Sequence, residues 1–304
     1  MITNSLKKFF FSGRTWVFGI PYFWLLLFLA LPFLMIFRLS FSQMAFQVPP
    51  YEPLVSIQNF MVTFHINLNN YRTILLDPFY VSAYFTSLKV AFFSTIGCLL
   101  IGYPMAYCIA RAEGPVRSLL LTLVVLPSWT SFLLRVYAWM GILQETGLLN
   151  QLLLKLHIIS TPIQFLYTPF AVYLGIIYAY LPFMILPLYV SISKLDWTLL
   201  QAASDLGAKP WNAFLRITLP LTMPGIITGS LLVFIPAVGE FVIPDLLGGS
   251  STTMIGRVLW QEFFNNRDWP LAASLATIML FLLLVPIYLF SRHEEKQQER
   301  GDYV

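Results

Sequence analysis

Residues Val90 to Ala110 read VAFFSTIGCLLIGYPMAYCIA, 21 positions without one charged side chain. A helix rising about 1.5 Å per residue needs roughly 20 apolar residues to cross a bilayer's hydrocarbon core, so this run is long enough to span. Comparable blocks lie on both sides of it, giving predicted spans at 16–38, 80–110, 118–142, 166–192, 223–246 and 271–290. The chain of 304 residues is 58% hydrophobic and 11% charged, whereas a soluble domain carries roughly 25% charged residues. The pattern predicts an all-α, polytopic membrane protein of six transmembrane helices. Pro127 and Pro236 interrupt the third and fifth spans, which a membrane tolerates only where neighbouring protein or a cavity satisfies the freed backbone groups.

The first block follows Lys7, Lys8 and Arg14, as the core of a signal peptide would. It runs for 22 apolar residues, longer than the usual core of about 7–15, and no small-x-small cleavage site occurs in 40–46, so it reads as a retained helix. If the N-terminus is cytoplasmic, that side holds Lys7, Lys8, Arg14, Arg111, Arg117, Lys194, Lys209, Arg216, Arg292, Lys296 and Arg300. The opposite loops hold Arg72, Lys155, Arg257 and Arg267, so the positive-inside rule predicts both termini inside. The division is a cytoplasmic N-terminus at 1–15, one transmembrane domain at 16–291 and a cytoplasmic tail at 292–304. The basic residues are scattered beside apolar blocks and form no nucleic-acid stripe; lipid is the expected surroundings. Cys98 and Cys108 share one apolar block and suggest neither a disulfide nor a metal site.

The inner loop 193–222 is too polar to span and reads as an amphipathic helix, a turn and a second short helix. It contains Gln201-Ala202-Ala203-Ser204-Asp205-Leu206-Gly207, then nine residues, then Ile217-Thr218-Leu219-Pro220. The small pair lets another surface approach closely, Asp205 adds a polar hook one turn from Gln201, and Gly207 permits a sharp helix end. The whole spacing resembles the E-A-A-x3-G-x9-I-x-L-P loop of permease subunits of bacterial binding-protein-dependent ABC importers, with Gln201 in place of the glutamate. An amide can still donate and accept there. The stretches Leu126 to Leu143, Phe234 to Gly249 and Ile255 to Pro270 look like the polyamine branch of that family, and within it the first of the two permeases of a putrescine importer.

The resemblance implies the type I importer permease fold and a coupling helix, carrying Gln201, Ala202, Ala203, Asp205 and Gly207, that docks on a cytoplasmic ATPase. It also implies a second homologous permease, two ATPase subunits that bind the ATP and magnesium, and a periplasmic polyamine-binding protein, all at the bacterial inner membrane. A dicationic substrate needs negative charge and aromatic faces along its path. Glu240, inside the fifth span, and Asp245 beyond it are candidate stops for an ammonium group, since a carboxylate at that depth is expensive without a polar cavity or a cationic partner. The other reading of Glu240 is an internal ion pair with Arg135 or Lys89; Arg135 would repel a cation on the path and is therefore expected to be a carboxylate's structural partner. Trp129, Tyr137 and Trp139 could hold an ammonium by cation–π attraction or belong to the interfacial belt. Tyr178 and Tyr180, beside Pro182, carry the same ambiguity. The loop Trp260 to Pro270 could receive the external binding protein or pack over the pore mouth.

No G-x-x-x-x-G-K-[ST] phosphate loop occurs, so ATP is expected to bind elsewhere. Gly248-Gly249-Ser250-Ser251 reads as a turn. His65, His157 and His293 lie far apart in loops, and no nucleophile is paired with a base, so no metal site and no enzymatic chemistry are expected. The rival reading is an ion-driven secondary transporter, a class that often shows internal repeats and paired interrupted helices; neither is found.

Overall fold

The computed structural model describes residues 13–58, 61–250 and 252–299; Lys7, Lys8, Ser251 and Arg300, used above, lie outside them. The chain forms two compact units, one of Met1–Asp77 with Leu259–Phe281 and one of Pro78–Val258 with Leu282–Val304. Among the described residues four helices are long and apolar enough to cross a membrane alone, and two bent pairs raise the number to as many as six if each pair is one span.

In the first unit, helix α1 runs through Gly13–Leu25, a π-helical turn Leu26–Ala30, and Leu31–Leu39. Pro21 and Pro32 each remove a ladder donor, and the widened turn lies between them. None of its spanning stretch is buried, and its apolar side chains face all directions, as a lipid-facing helix requires. The loop 39–79 holds a two-stranded antiparallel ribbon, β1 (Val55–Gln58) and β2 (Met61–Phe64), which the all-α reading did not include, followed by helix α2 (Asn69–Leu76). Ser40 ties this unit together: its hydroxyl donates to the Phe37 carbonyl and meets the Tyr71 hydroxyl at 2.6 Å, and its own carbonyl accepts from Ser274 at 2.9 Å.

The second unit is built on three long helices, α3 (Pro78–Arg111), α7 (Pro169–Ser193) and α10 (Met223–Val238). Their seam holds Ala106, Ile109, Met184, Ile185, Leu188, Ile192 and Val233, all buried. Lipid tails are as apolar as these side chains, so close packing rather than expulsion of water must hold the helices together. Gly225 and Gly229, one turn apart on α10, make that approach possible; a Cβ on Gly225 would lie 2.4 Å from the Ser191 Cβ and 2.9 Å from the Pro187 carbonyl oxygen.

The third predicted span is not straight. Helix α4 (Gly114–Val125) passes into a 3₁₀ turn, Leu126–Trp129, and the chain bends by 90° before α5 (Phe132–Leu143) and the short α6 (Leu148–Lys155). Pro127 sits in the turn, and Thr130 closes it by donating its hydroxyl to the Pro127 carbonyl at 2.8 Å. The 193–222 segment folds as α8 (Thr198–Asp205), a turn, and α9, made of Pro210–Ala213, a π-helical turn Phe214–Thr218 and Leu219–Leu221; α9 meets α10 at a 66° bend.

The fifth predicted span is also broken, but beyond Pro236. Helix α10 ends at Val238, and α11 (Val242–Leu247) starts after Gly239, Glu240 and Phe241. Pro244 explains the position, because a proline cannot donate to the carbonyl four residues earlier, at Glu240, and its ring crowds that carbonyl. Helix α12 (Ile255–Trp260) with a π-helical turn Gln261–Asn265, and α13 (Trp269–Glu299), complete the chain.

Candidate functional site

The break between α10 and α11 borders a cleft in the second unit. Phe132 and Arg135 from α5, Ala179, Tyr180 and Phe183 from α7, and Pro236, Gly239, Glu240, Phe241 and Val242 at the break line a space of about 460 Å³. The α7 contributors fall at spacings of one, three and four residues, so they share one helix face.

Glu240 is the one acidic residue of the lining and is 8% exposed. Its Oε1 accepts from the backbone N–H groups of Phe241 at 3.1 Å, Val242 at 3.0 Å and Ile243 at 3.5 Å. These include orphan donors of the first turn of α11, so the side chain caps the helix that follows it. Its Oε2 accepts from the Tyr180 hydroxyl at 2.6 Å. The carboxylate is held by neutral donors and still borders the cleft, with lone-pair capacity left on Oε2.

The expected ion pair between Arg135 and Glu240 is not formed: among the described residues Arg135 makes no ion pair, its guanidinium lies over the Phe132 ring at 5.7 Å, and its Nε is buried without a hydrogen-bond partner. Lys89 is not on the cleft either. Four amide and hydroxyl donors already satisfy Glu240, which removes the need for a cation within contact distance.

The other candidate path residues scatter. Asp245 forms an ion pair with Arg257, Oδ1 to Nε 2.9 Å, and Arg257 also donates to the Gly249 carbonyl. Trp129 lies on the 3₁₀ turn and is 74% exposed, and Tyr137 is 55% exposed on α5; neither lines the cleft. Trp139 packs edge-on against Tyr178 at 5.4 Å and borders a separate small crevice that shares Phe132, Arg135 and Ala179 with the cleft. The aromatic walls are instead Phe132, Tyr180, Phe183 and Phe241. Of these the sequence reading weighed Tyr180 alone; α7 is apolar on every side, so no signal in the sequence marks Ala179, Tyr180 and Phe183 as the face on the cleft.

The 193–222 segment presents a second surface. Gln201, Ala202, Asp205 and Gly207 are exposed and Ala203 is half-buried. Gly207 adopts φ +81, and its N–H donates to the Ser204 carbonyl while that of Ala208 donates to Ala203, the paired bonds of a glycine-terminated helix end. Nothing lies within 4 Å of where a Cβ on Gly207 would sit, so the glycine is required by backbone conformation and not by crowding. Asp196 accepts from the Thr198 N–H at 2.9 Å and hydroxyl at 2.8 Å at the start of α8, and these bonds hold its carboxyl below the usual range. Among the described residues no cluster of metal-ligating side chains occurs.

The chain is similar over 279 residues, at 44% identity, to the spermidine/putrescine transport system permease protein PotB of Escherichia coli (strain K12), covering 91% of this chain and 97% of that one. The protein of the same name from Haemophilus influenzae is 43% identical, with 87% and 89% covered. The crystal structure of a bacterial alginate ABC transporter in complex with an alginate pentasaccharide-bound periplasmic protein contains a chain of the same fold, at TM-score 0.65 and 21% identity, with 93% of this chain and 95% of that chain covered. Residues 98–297, which hold the cleft, the inner segment and the α3–α7–α10 core, match the model of the binding-protein-dependent transport system inner membrane components, and the chain belongs to that family.

Proposed function

We propose that this chain is one of two permease subunits of an ATP-driven importer of putrescine, spermidine or a related polyamine. The observation that carries the reading is the 44% identity, over nearly the whole of both chains, to a permease named for those substrates. The cleft agrees with it chemically. A carboxylate among four aromatic walls suits an alkylammonium, which Oε2 of Glu240 can accept while the rings attract it by cation–π contact.

The geometry also makes such a site shallow. Three amides at and just before the start of α11 and the Tyr180 hydroxyl already draw on the carboxylate, the helix N-terminus offsets part of its charge, and Arg135 shares the lining. A transport pathway needs that balance, since a stop must attract the ion enough to admit it and release it again.

In this reading both termini are cytoplasmic, and two ATPase subunits bind ATP and magnesium and contact the exposed face of α8 around Gln201, Ala202, Asp205 and Gly207. Their closure would push the inner segment and switch the spans between inward-open and outward-open. A periplasmic receptor would supply the polyamine at the outer loops, and a second homologous permease would complete the pathway beside the cleft. The chain itself does no ATP hydrolysis. Uptake of labelled putrescine and spermidine into proteoliposomes holding the complete complex tests the reading: it should require ATP and receptor, and uptake of neither polyamine would refute it.

A further inference from the structure

The inner end of α3 carries Tyr103, Tyr107 and Arg111 at four-residue spacing, so the three side chains form one stripe along the helix. Both legs of the 193–222 segment are fastened to that stripe. Ahead of α8, Trp197 meets the Tyr107 ring edge-on at 5.8 Å, and the Arg111 guanidinium lies 5.5 Å from the Trp197 ring and 5.7 Å from the Tyr107 ring. On the other leg, Phe214 of α9 meets the Tyr103 ring edge-on at 5.5 Å, and Trp211 stacks on Phe214 at 5.6 Å. The Tyr103 hydroxyl closes the set at 2.9 Å from the Thr222 hydroxyl, at the bend between α9 and α10. By contrast, the tip between the legs is free; Leu206 is 89% exposed.

We propose that Tyr107, Arg111 and Trp197 are positioning residues that transmit displacement of α8 to α3, working beside the second clamp of Tyr103, Phe214 and Thr222. This rests on the reading of α8 as the ATPase contact. The inner segment is continuous in sequence with α7 and α10, whereas α3 is far away in sequence and is joined to it directly by these side-chain contacts. Aromatic edges and a cation over two ring faces resist shear while allowing small slides, a suitable joint for a part that must move repeatedly. Arg111, the last residue of α3, is also favoured there by the helix dipole. An arginine placed only to anchor the membrane would not need two ring faces.

The test uses the full complex in proteoliposomes with Trp197→Ala, Arg111→Gln, Trp197→Phe and Gly207→Asp. Three readouts are needed: ATPase retained on the purified complex, receptor-stimulated ATP hydrolysis, and polyamine taken up per ATP hydrolysed. Trp197→Ala and Arg111→Gln should keep the ATPase and hydrolyse ATP, while uptake per ATP falls about tenfold, the scale expected when Arg111→Gln removes two cation–π contacts and Trp197→Ala removes one of them together with an aromatic edge. Trp197→Phe should restore most of it. Unchanged uptake per ATP in both variants overturns the proposal, and if Trp197→Ala does not assemble, the exposed Arg111→Gln decides alone. Gly207→Asp separates the two readings: normal ATPase retention and uptake in that variant removes the ATPase-contact assignment of α8, whereas a defect there with silent Trp197 and Arg111 variants removes only the joint.

Discussion

Glu240→Ala should cost the chain about 4 kcal/mol of stability. Two good amide bonds to Oε1, at 3.1 and 3.0 Å, and the Tyr180 hydroxyl at 2.6 Å lose their acceptor, while the 3.5 Å contact from Ile243 adds little. Each donor left unsatisfied away from water costs about 1–3 kcal/mol, so the three give a range of about 3–9 kcal/mol, and water admitted by the cleft relieves part of this and places the cost in the lower part of that range. Glu240→Gln should cost only about 1 kcal/mol, because its amide oxygen can keep the cap and its NH₂ can donate to the tyrosine oxygen. The assay pairs thermal unfolding of the detergent-solubilised complex with uptake. Gln should nearly keep the melting midpoint yet impair transport, since the charge that attracts an ammonium is gone; Ala should lose both. An alanine variant as stable as the unaltered chain would refute the capping role, and a glutamine variant transporting normally would refute the charge role.

Gly225→Ala should destabilise by about 1–3 kcal/mol, because the added Cβ meets the Pro187 carbonyl, a backbone atom that cannot rotate away; reduced thermal stability of the complex is the readout. The carboxyl of Asp196 is depressed by its bonds to Thr198, so its contribution is fully present above the ordinary carboxylate range and is lost as pH falls through the lowered value. Asp196→Asn should therefore flatten the acid limb of α8 ordering, followed by hydrogen exchange of its amides between pH 5 and pH 2 (~, the span of shifted carboxylates). Asp245→Asn should change stability by about 0–1 kcal/mol, as the half-exposed pair with Arg257 is screened by water, and a double-mutant cycle with Arg257→Gln should show coupling of that size.

Much of the fold was legible because the bilayer imposes one strong rule. Residues 16–38, 80–110, 166–192 and 271–290 each read as one span, and the helices Val17–Leu39, Pro78–Arg111, Pro169–Ser193 and Trp269–Tyr288 follow them within a few residues. The interrupted spans were harder. Pro127 and Pro236 flagged them, but the fifth breaks at Glu240, where a carboxylate reaching forward to three amides competes with the helix ladder, and Pro244 rather than Pro236 sets the place. An apolar block carries no trace of such local competition. The same limit applies to the site. Glu240 stood out as a lone charge, but Tyr180, Phe132 and Phe183 became neighbours only through the crossing of α5 and α7, and in spans apolar on every side no periodicity shows which aromatics face inward. The clamp on α3 was equally invisible, since Trp197 and Tyr107 are joined by folding alone.

ATP-dependent accumulation of labelled polyamine in proteoliposomes, with the receptor enclosed on the side of the outer loops, separates an ATP-driven importer from an ion-coupled carrier. Uptake of putrescine or spermidine that stops without ATP and without receptor is the expected result. Accumulation that persists without ATP, driven by an ion gradient alone, would contradict the account and favour a secondary transporter.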